Sequence, residues 1–140
     1  MSFGKECGKI GTFDIVIITS GSSGSGTDSD IDIELIGEKG STGRVDIDNY
    51  VEDYTPGNNF EKNDTDKCRI TFNLGKDGLG KLKEIKIYNN GGGSGSDWKV
   101  DYIKVTEINP DGSKGTTNQF NINDWINSGK NISCTNVTIS

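Results

Sequence analysis

Three polar segments, two of them rich in glycine, hold the side chains of this sequence that are best suited to chemistry. They are residues 20–28, 52–61 and 89–97, called here the first, second and third segments. Glycine lets backbone carbonyls approach a ligand closely, and each segment also contains side-chain oxygens. The oxygen-bearing side chains are Thr27 and Asp28, then Asp53, Asn58, Asn59 and Glu61, and finally Asp97. Carboxylate, amide and carbonyl oxygens are what calcium prefers, usually about 6–8 per ion.

The same composition has a plainer interpretation. Glycine, asparagine and aspartate tolerate positive φ, so composition alone favours ordinary turns. A linear EF-hand loop starting at Asp28 is excluded, because Ile33 stands where that loop needs glycine and Lys39 where it needs a bidentate acid.

The overall composition excludes several functional classes. The chain has no histidine, so no Ser-His-Asp or Cys-His nucleophile can form, and the sequence predicts no enzyme. A net charge of −6 disfavours nucleic acid as a partner. The three cysteines, Cys7, Cys68 and Cys134, have neither zinc-site nor disulfide-framework spacing and are expected to be reduced.

The elements that must position the segments are β-strands. The chain has 140 residues and is rich in isoleucine but lacks alanine, which favours pleated sheets over helices. Short apolar or alternating runs separated by turn residues predict an all-β fold, an antiparallel sandwich or barrel of eight strands. In one run the alternation places Asp30, Asp32 and Glu34 in solvent. The eight runs are residues 13–19, 30–36, 44–47, 68–73, 82–88, 98–108, 118–122 and 132–139.

The chain is expected to form one domain. Residues 1–11 are interpreted as an N-terminal extension, either loose or an added edge strand, and residues 12–140 as the sandwich. The longest apolar run, residues 15–18, is too short to be a transmembrane segment. The start of the chain has no secretory h-region. A cytoplasmic protein that can attach peripherally to membranes is therefore expected.

An ordered set of motifs resembles the PLAT (LH2) domain, a β-sandwich found in lipoxygenases, polycystins and clostridial alpha-toxin. The set runs from residue 13 to about 135. Its parts are Gly26-Thr27-Asp28, then Asn58-Asn59-Phe60-Glu61, Leu79-Gly80-Lys81-Leu82, Asp97-Trp98 and Trp125-Ile126. The fold class predicted by this resemblance is an eight-stranded antiparallel β-sandwich of PLAT/LH2 type.

The resemblance also implies a calcium site. By analogy with the family, the ligands are the Gly26 carbonyl, Thr27, Asp28, Asn58, Asn59, Glu61, the Ser94 carbonyl and Asp97, with Asp53 serving a further ion. Asn59 stands where the family pattern has an acid, which removes a charge and should weaken the affinity. The aromatic residues Phe60, Phe72 and Trp98 are instead expected in the core, since large aromatics dominate small β cores.

The family's usual role is calcium-dependent attachment to a membrane surface or to a partner protein. Members that insert into bilayers carry aromatic residues at the loop tips, but residues 22–23 and 91–94 contain none here. The candidates for membrane contact are Tyr54 and Trp125, and Trp125 is equally compatible with a packed position. The expected partner is therefore an anionic membrane surface or a protein. The alternative is a structural or adhesive sandwich that uses a sheet face or edge, with calcium incidental.

Overall fold

The computed structural model describes residues 9–21, 26, 30–50, 60, 65–91, 97–135 and 137–138. Within them the chain forms nine strand segments and one single-turn 3-10 helix, Ile47–Tyr50. The strands are β1 (Ile10–Thr19), β2 (Ile31–Gly37), β3 (Val45–Asp46), β4 (Thr65–Asn73), β5 (Leu82–Asn89), β6 (Trp98–Ile108), β7 (Lys114–Ile126), β8 (Asn131–Thr135) and β9 (Val137–Thr138).

The strands form two antiparallel sheets. One has five strands in the order β4-β1-β6-β7-β9, and the other has four in the order β3-β2-β5-β8. The predicted all-β antiparallel sandwich is confirmed, and every predicted strand region contains a strand. The last predicted strand is divided, however: β8 lies in the four-stranded sheet and β9 in the five-stranded one. Among the described residues, no helix is long and apolar enough to cross a bilayer.

The core lies between the two sheets and is built by alternation. In β1 the buried apolar residues are Phe13, Ile15 and Ile17, while the residues between them are only partly buried. The strand β4 has the same period, with Cys68, Ile70 and Phe72 buried. Each such side chain contributes about 1.5–3 kcal/mol when fully buried. The predicted core positions of Phe60, Phe72 and Trp98 are confirmed, because all three are buried.

The N-terminal boundary lies within the five-stranded sheet. β1 begins at Ile10, and Ile10 pairs with Asn73 of β4. Before it, the Lys9 N–H donates to the Gly75 carbonyl at 2.8 Å, and the Leu74 N–H donates to the Lys9 carbonyl at 2.8 Å. Residues 9–11 of the expected extension therefore pair with the sandwich, and residues 1–8 lie outside the described part of the chain.

The strand registers bring many strand termini to one end of the sandwich, called here the loop end. In the five-stranded sheet Ile18 pairs with Thr65, and Trp98 pairs with Ile126. In the four-stranded sheet Ile31 pairs with Asn89. The two sheets meet there, since the buried Asn89 side chain donates to the Ile126 carbonyl at 2.9 Å.

Candidate metal centre

All three predicted segments are attached at the loop end. The first leaves β1 at Thr19 and the chain re-enters the sandwich at Ile31 of β2. The second follows the 3-10 helix and precedes β4, and the third connects β5 to β6. The antiparallel topology therefore anchors three segments that are distant in sequence around one end of the molecule.

Asp97 is the candidate ligand whose side chain the structure describes. It is exposed, directly before β6, and its Oδ1 accepts a hydrogen bond from the Ser128 N–H at 2.9 Å. Its Oδ2 has no hydrogen bond to any residue in the described ranges. One oxygen of this carboxylate is thus oriented by the β7–β8 connection.

A buried hydrogen bond fixes the residue that follows Asp97. The Trp98 Nε1–H donates to Thr19 Oγ1 at 3.0 Å, and both residues are buried. Beside it, the Ser20 N–H donates to the Lys99 carbonyl at 3.0 Å. These two bonds join the start of the first segment to the end of the third.

The second segment is joined to the same cluster through Phe60. Its ring, 1% exposed, packs on Trp98 with ring centroids 5.2 Å apart. Its backbone has a φ of 59°, which is rare for a bulky residue. The Phe60 N–H donates to Oδ2 of Asp66 at 3.0 Å, and Asp66 is 8% exposed.

The role of Asp66 was missed by sequence reasoning, although the sequence contains a sign of it. Asp66 shares the inward phase of β4 with Cys68, Ile70 and Phe72, where an acid is out of place unless a buried donor faces it. That donor is the backbone of Phe60. Asp66 therefore supports the base of the second segment from inside the sandwich.

The ligand set itself is only partly within the described residues. Gly26 lies half-buried between β1 and β2, and Asp97 stands at the start of β6. The remaining candidates lie outside the described residues: Thr27, Asp28, Asp53, Asn58, Asn59, Glu61 and Ser94. In the described part of the chain, no three His, Cys, Asp or Glu side chains form a group able to hold a metal. A backbone carbonyl at Gly26 and a carboxylate at Asp97 are oxygen donors of the kind calcium takes, and the full set stays a prediction.

Trp125 is exposed, and Tyr54 lies outside the described residues. The Trp125 side chain is 39% exposed. Trp125 pairs with Lys99 near the end of β7, next to the pair of Trp98 with the buried Ile126. Successive strand residues point to opposite faces, so Trp125 is on the outer face of the five-stranded sheet. Trp125 is therefore not part of the buried core.

Two of the acids predicted on the solvent face, Asp32 and Glu34, belong to a polar network on β2. Arg44 donates to Asp32 at 3.1 Å and to Asn90 at 2.6 Å, and its guanidinium lies 3.9 Å from the Tyr88 ring centroid. The Tyr88 hydroxyl donates to Glu34 at 3.1 Å. Desolvation by burial raises the pKa of Tyr88, and the bond to Glu34 raises it further. This network holds Asn90, the second residue of the third segment.

Comparison with known proteins gives this architecture a family. The sequence profile described as "PLAT/LH2 domain" matches residues 13–138. Phospholipase C of Clostridium haemolyticum is 34% identical over 126 residues, covering 89% of this chain and 29% of that protein. Coral 8R-lipoxygenase, described as activated by calcium via a C2-like domain, superposes with a TM-score of 0.70 at 21% identity, covering 89% of this chain and 17% of the other. A calcium-dependent 11R-lipoxygenase gives a TM-score of 0.64 at 25% identity, covering 90% and 17%.

The shared region is one part of each larger relative. The chain spans less than a third of the phospholipase C that it matches, and the matches to these enzymes cover only the PLAT domain, a non-catalytic module. The expected resemblance is confirmed by a profile match over nearly the whole sandwich. This chain therefore belongs to the PLAT/LH2 domain family.

Proposed function

We propose that this chain is a calcium-binding PLAT module that attaches to anionic membrane surfaces or partner proteins when calcium is bound, and that it is not an enzyme. The observation that carries the proposal is the position of Asp97. Its carboxylate is exposed at the loop end, and one oxygen is oriented by the Ser128 N–H. Two lipoxygenases with this fold, described as calcium-activated and calcium-dependent, support the choice of ion.

The described residues give the proposed site a rigid base. Trp98 is held by Thr19, and Phe60 is held by Asp66 and by the Trp98 ring. Together with Asp97 and the Gly26 carbonyl, the predicted ligands are Thr27, Asp28, Asn58, Asn59, Glu61 and the Ser94 carbonyl, with Asp53 at a further site. Bound calcium supplies positive charge among these acidic groups, so that the loop end attracts an anionic surface. Cytoplasmic location with peripheral membrane attachment is part of the same proposal.

The test is calcium-dependent thermal stability. A ligand that binds only the folded state stabilises that state by about 2.7 kcal/mol when its free concentration is about 100 times its Kd. With an unfolding entropy of about 2.1 cal/mol/K per residue, this corresponds to a rise in Tm of about 9 °C. Asp97→Asn and Asp28→Asn should each reduce the rise strongly. Asp77→Asn is the matched control, because Asp77 is an exposed acid in the β4–β5 connection.

Vesicle co-sedimentation completes the test. The wild-type chain should bind vesicles containing phosphatidylserine more tightly with calcium than with chelator. If calcium at millimolar levels produces neither a rise in Tm nor binding heat, the calcium site is absent. Self-association of the chain in chelator would then favour the structural or adhesive alternative.

A further inference from the structure

The outer face of the five-stranded sheet carries a concentration of cationic side chains. Cross-strand pairs point to the same face of a sheet, and the registers place Val16 of β1 between Lys67 of β4 and Lys104 of β6. Two residues earlier on β1, Asp14 lies between Arg69 of β4 and Thr106 of β6. The cationic residues of this outer face, called here the basic face, are Lys67, Arg69, Lys99, Lys104 and Lys114.

Few acids oppose these cations. Asp14 is paired with Arg69, whose Nε and Nη2 donate to its two oxygens at 2.6 and 2.9 Å. Asp101, the half-buried extra residue at the β6 bulge, is the second acid that we count with this face. Among the described residues, Lys67, Lys104 and Lys114 make no salt bridge. In the described part of this face, five cations against two carboxylates leave an excess of positive charge, although the net charge of the chain is −6.

The spacing of the cations suits an extended anionic surface better than one small anion. Lys67 and Lys104 are two strands apart, which is roughly 10 Å at the usual strand separation. Lys67 and Arg69 are two residues apart on β4, which is about 7 Å. The outer face of the four-stranded sheet does not have this excess of positive charge, because it carries Asp32 and Glu34.

Aromatic side chains complete the basic face toward the loop end. Trp125 is exposed and pairs with Lys99. Tyr102 pairs with Asn121, and its ring centroid lies 5.8 Å from Lys104 Nζ. Tryptophan and tyrosine are enriched at the headgroup level of membranes, and lysine and arginine are attracted to anionic lipids. Their combination on one face selects a lipid surface over an acidic protein.

We infer that the basic face docks on anionic lipid bilayers without calcium, as a second membrane contact beside the proposed calcium loops. This inference extends the proposed function, since it concerns the same membrane attachment. Each lysine near an anionic surface increases affinity by about fivefold. The loop end and the basic face meet at Trp125, so both can contact one membrane.

The test is vesicle co-sedimentation in chelator at about 0.15 M salt, where the Debye length is about 8 Å, with vesicles rich in phosphatidylserine. The triple variant Lys67→Gln, Lys104→Gln, Lys114→Gln should bind about a hundredfold more weakly than wild type. The control triple variant Lys39→Gln, Lys76→Gln, Lys83→Gln removes the same charge from exposed positions near the end of the sandwich opposite the loop end and should bind within about twofold of wild type. Urea unfolding checks that both variants are folded.

The outcomes separate this inference from the proposed function. The inference is supported if wild type binds vesicles in chelator and only the basic-face variant loses that binding. This result would stand whether or not Asp97→Asn reduces the response to calcium. No binding in chelator, or equal losses in both triple variants, overturns it and leaves the calcium proposal intact. Binding to soluble polyglutamate but not to vesicles would also overturn it, because the occupant would then be an acidic protein.

Tryptophan fluorescence tests the orientation. Trp125 is exposed while Trp98 is fully buried. Vesicles of brominated lipid in chelator should quench wild-type emission, and Trp125→Phe should abolish the quenching. Quenching that persists in Trp125→Phe, or that is absent in wild type, would contradict docking through this face.

Discussion

Replacing Thr19 with valine tests the bond that holds the base of the candidate site. Valine keeps the shape of threonine but removes Oγ1, the acceptor of the Trp98 indole N–H at 3.0 Å. Thr19 is 1% exposed and Trp98 0%, so water cannot replace the lost acceptor. A buried donor left without a partner costs about 1–3 kcal/mol.

The expected change in Tm follows from the size of the chain. An unfolding entropy of about 2.1 cal/mol/K per residue converts a loss of 2 kcal/mol into a drop of about 7 °C for this chain. Urea unfolding followed by far-UV circular dichroism measures the free energy of unfolding directly, and it does not rely on the fluorescence of Trp98.

A double-mutant cycle isolates the hydrogen bond. In the background of Trp98→Phe no indole donor remains, so Thr19→Val should cost less than about 0.5 kcal/mol there. The expected coupling between the two positions is about 1.5 kcal/mol. An equal cost of Thr19→Val in both backgrounds would refute the reasoning, because the loss would then come from packing and not from the bond.

Two further predictions concern an ion pair on the five-stranded sheet and a close backbone contact at the end of β2. Hydrogen bonds from Arg69 hold the pKa of Asp14 below its usual 3.8, so the pair stabilises the fold above about pH 4 and the stabilisation is lost as pH falls through the lowered pKa. In urea unfolding, the free energy of unfolding of wild type should exceed that of Asp14→Asn by at most about 1 kcal/mol at pH 6, and the difference should vanish near pH 2. A difference that grows toward acid pH would contradict this. Gly37→Ala should cost about 2–3 kcal/mol, because its Cβ would overlap the Leu79 carbonyl oxygen. Gly115→Ala is the control, since the nearest atom there is the end of a flexible side chain at 3.3 Å, and equal costs would argue against the overlap.

Much of the fold was predictable because strand patterns are local. The alternation of Ile31, Ile33 and Leu35 with acids assigns both faces of β2 from the sequence alone. The destination of the last predicted strand was not predictable, because β8 and β9 pair with strands of different sheets and both options suit the same apolar pattern. The length of β7 was also underestimated, since its polar residues gain their strand conformation from pairing with β6.

Some features of the candidate site were likewise predictable from the sequence, and others required the tertiary structure. The sequence identified Asp97 and Trp125 as candidates through the motifs around them. Only the tertiary structure oriented Asp97 through the N–H of Ser128, which is 31 residues away, and only the register with Lys99 placed Trp125 on the outer face. No sequence pattern encodes a contact across such a distance.

The sequence by itself therefore determined the strand-rich class and the family, and it identified the oxygen-bearing segments, because residue type and local period carry that information. The tertiary structure decided that Phe60, Trp98 and Asp66 form one buried support, and that cations from β4, β6 and β7 share a face. Both depend on which strands become neighbours, and that choice is made by the packing of the whole sandwich.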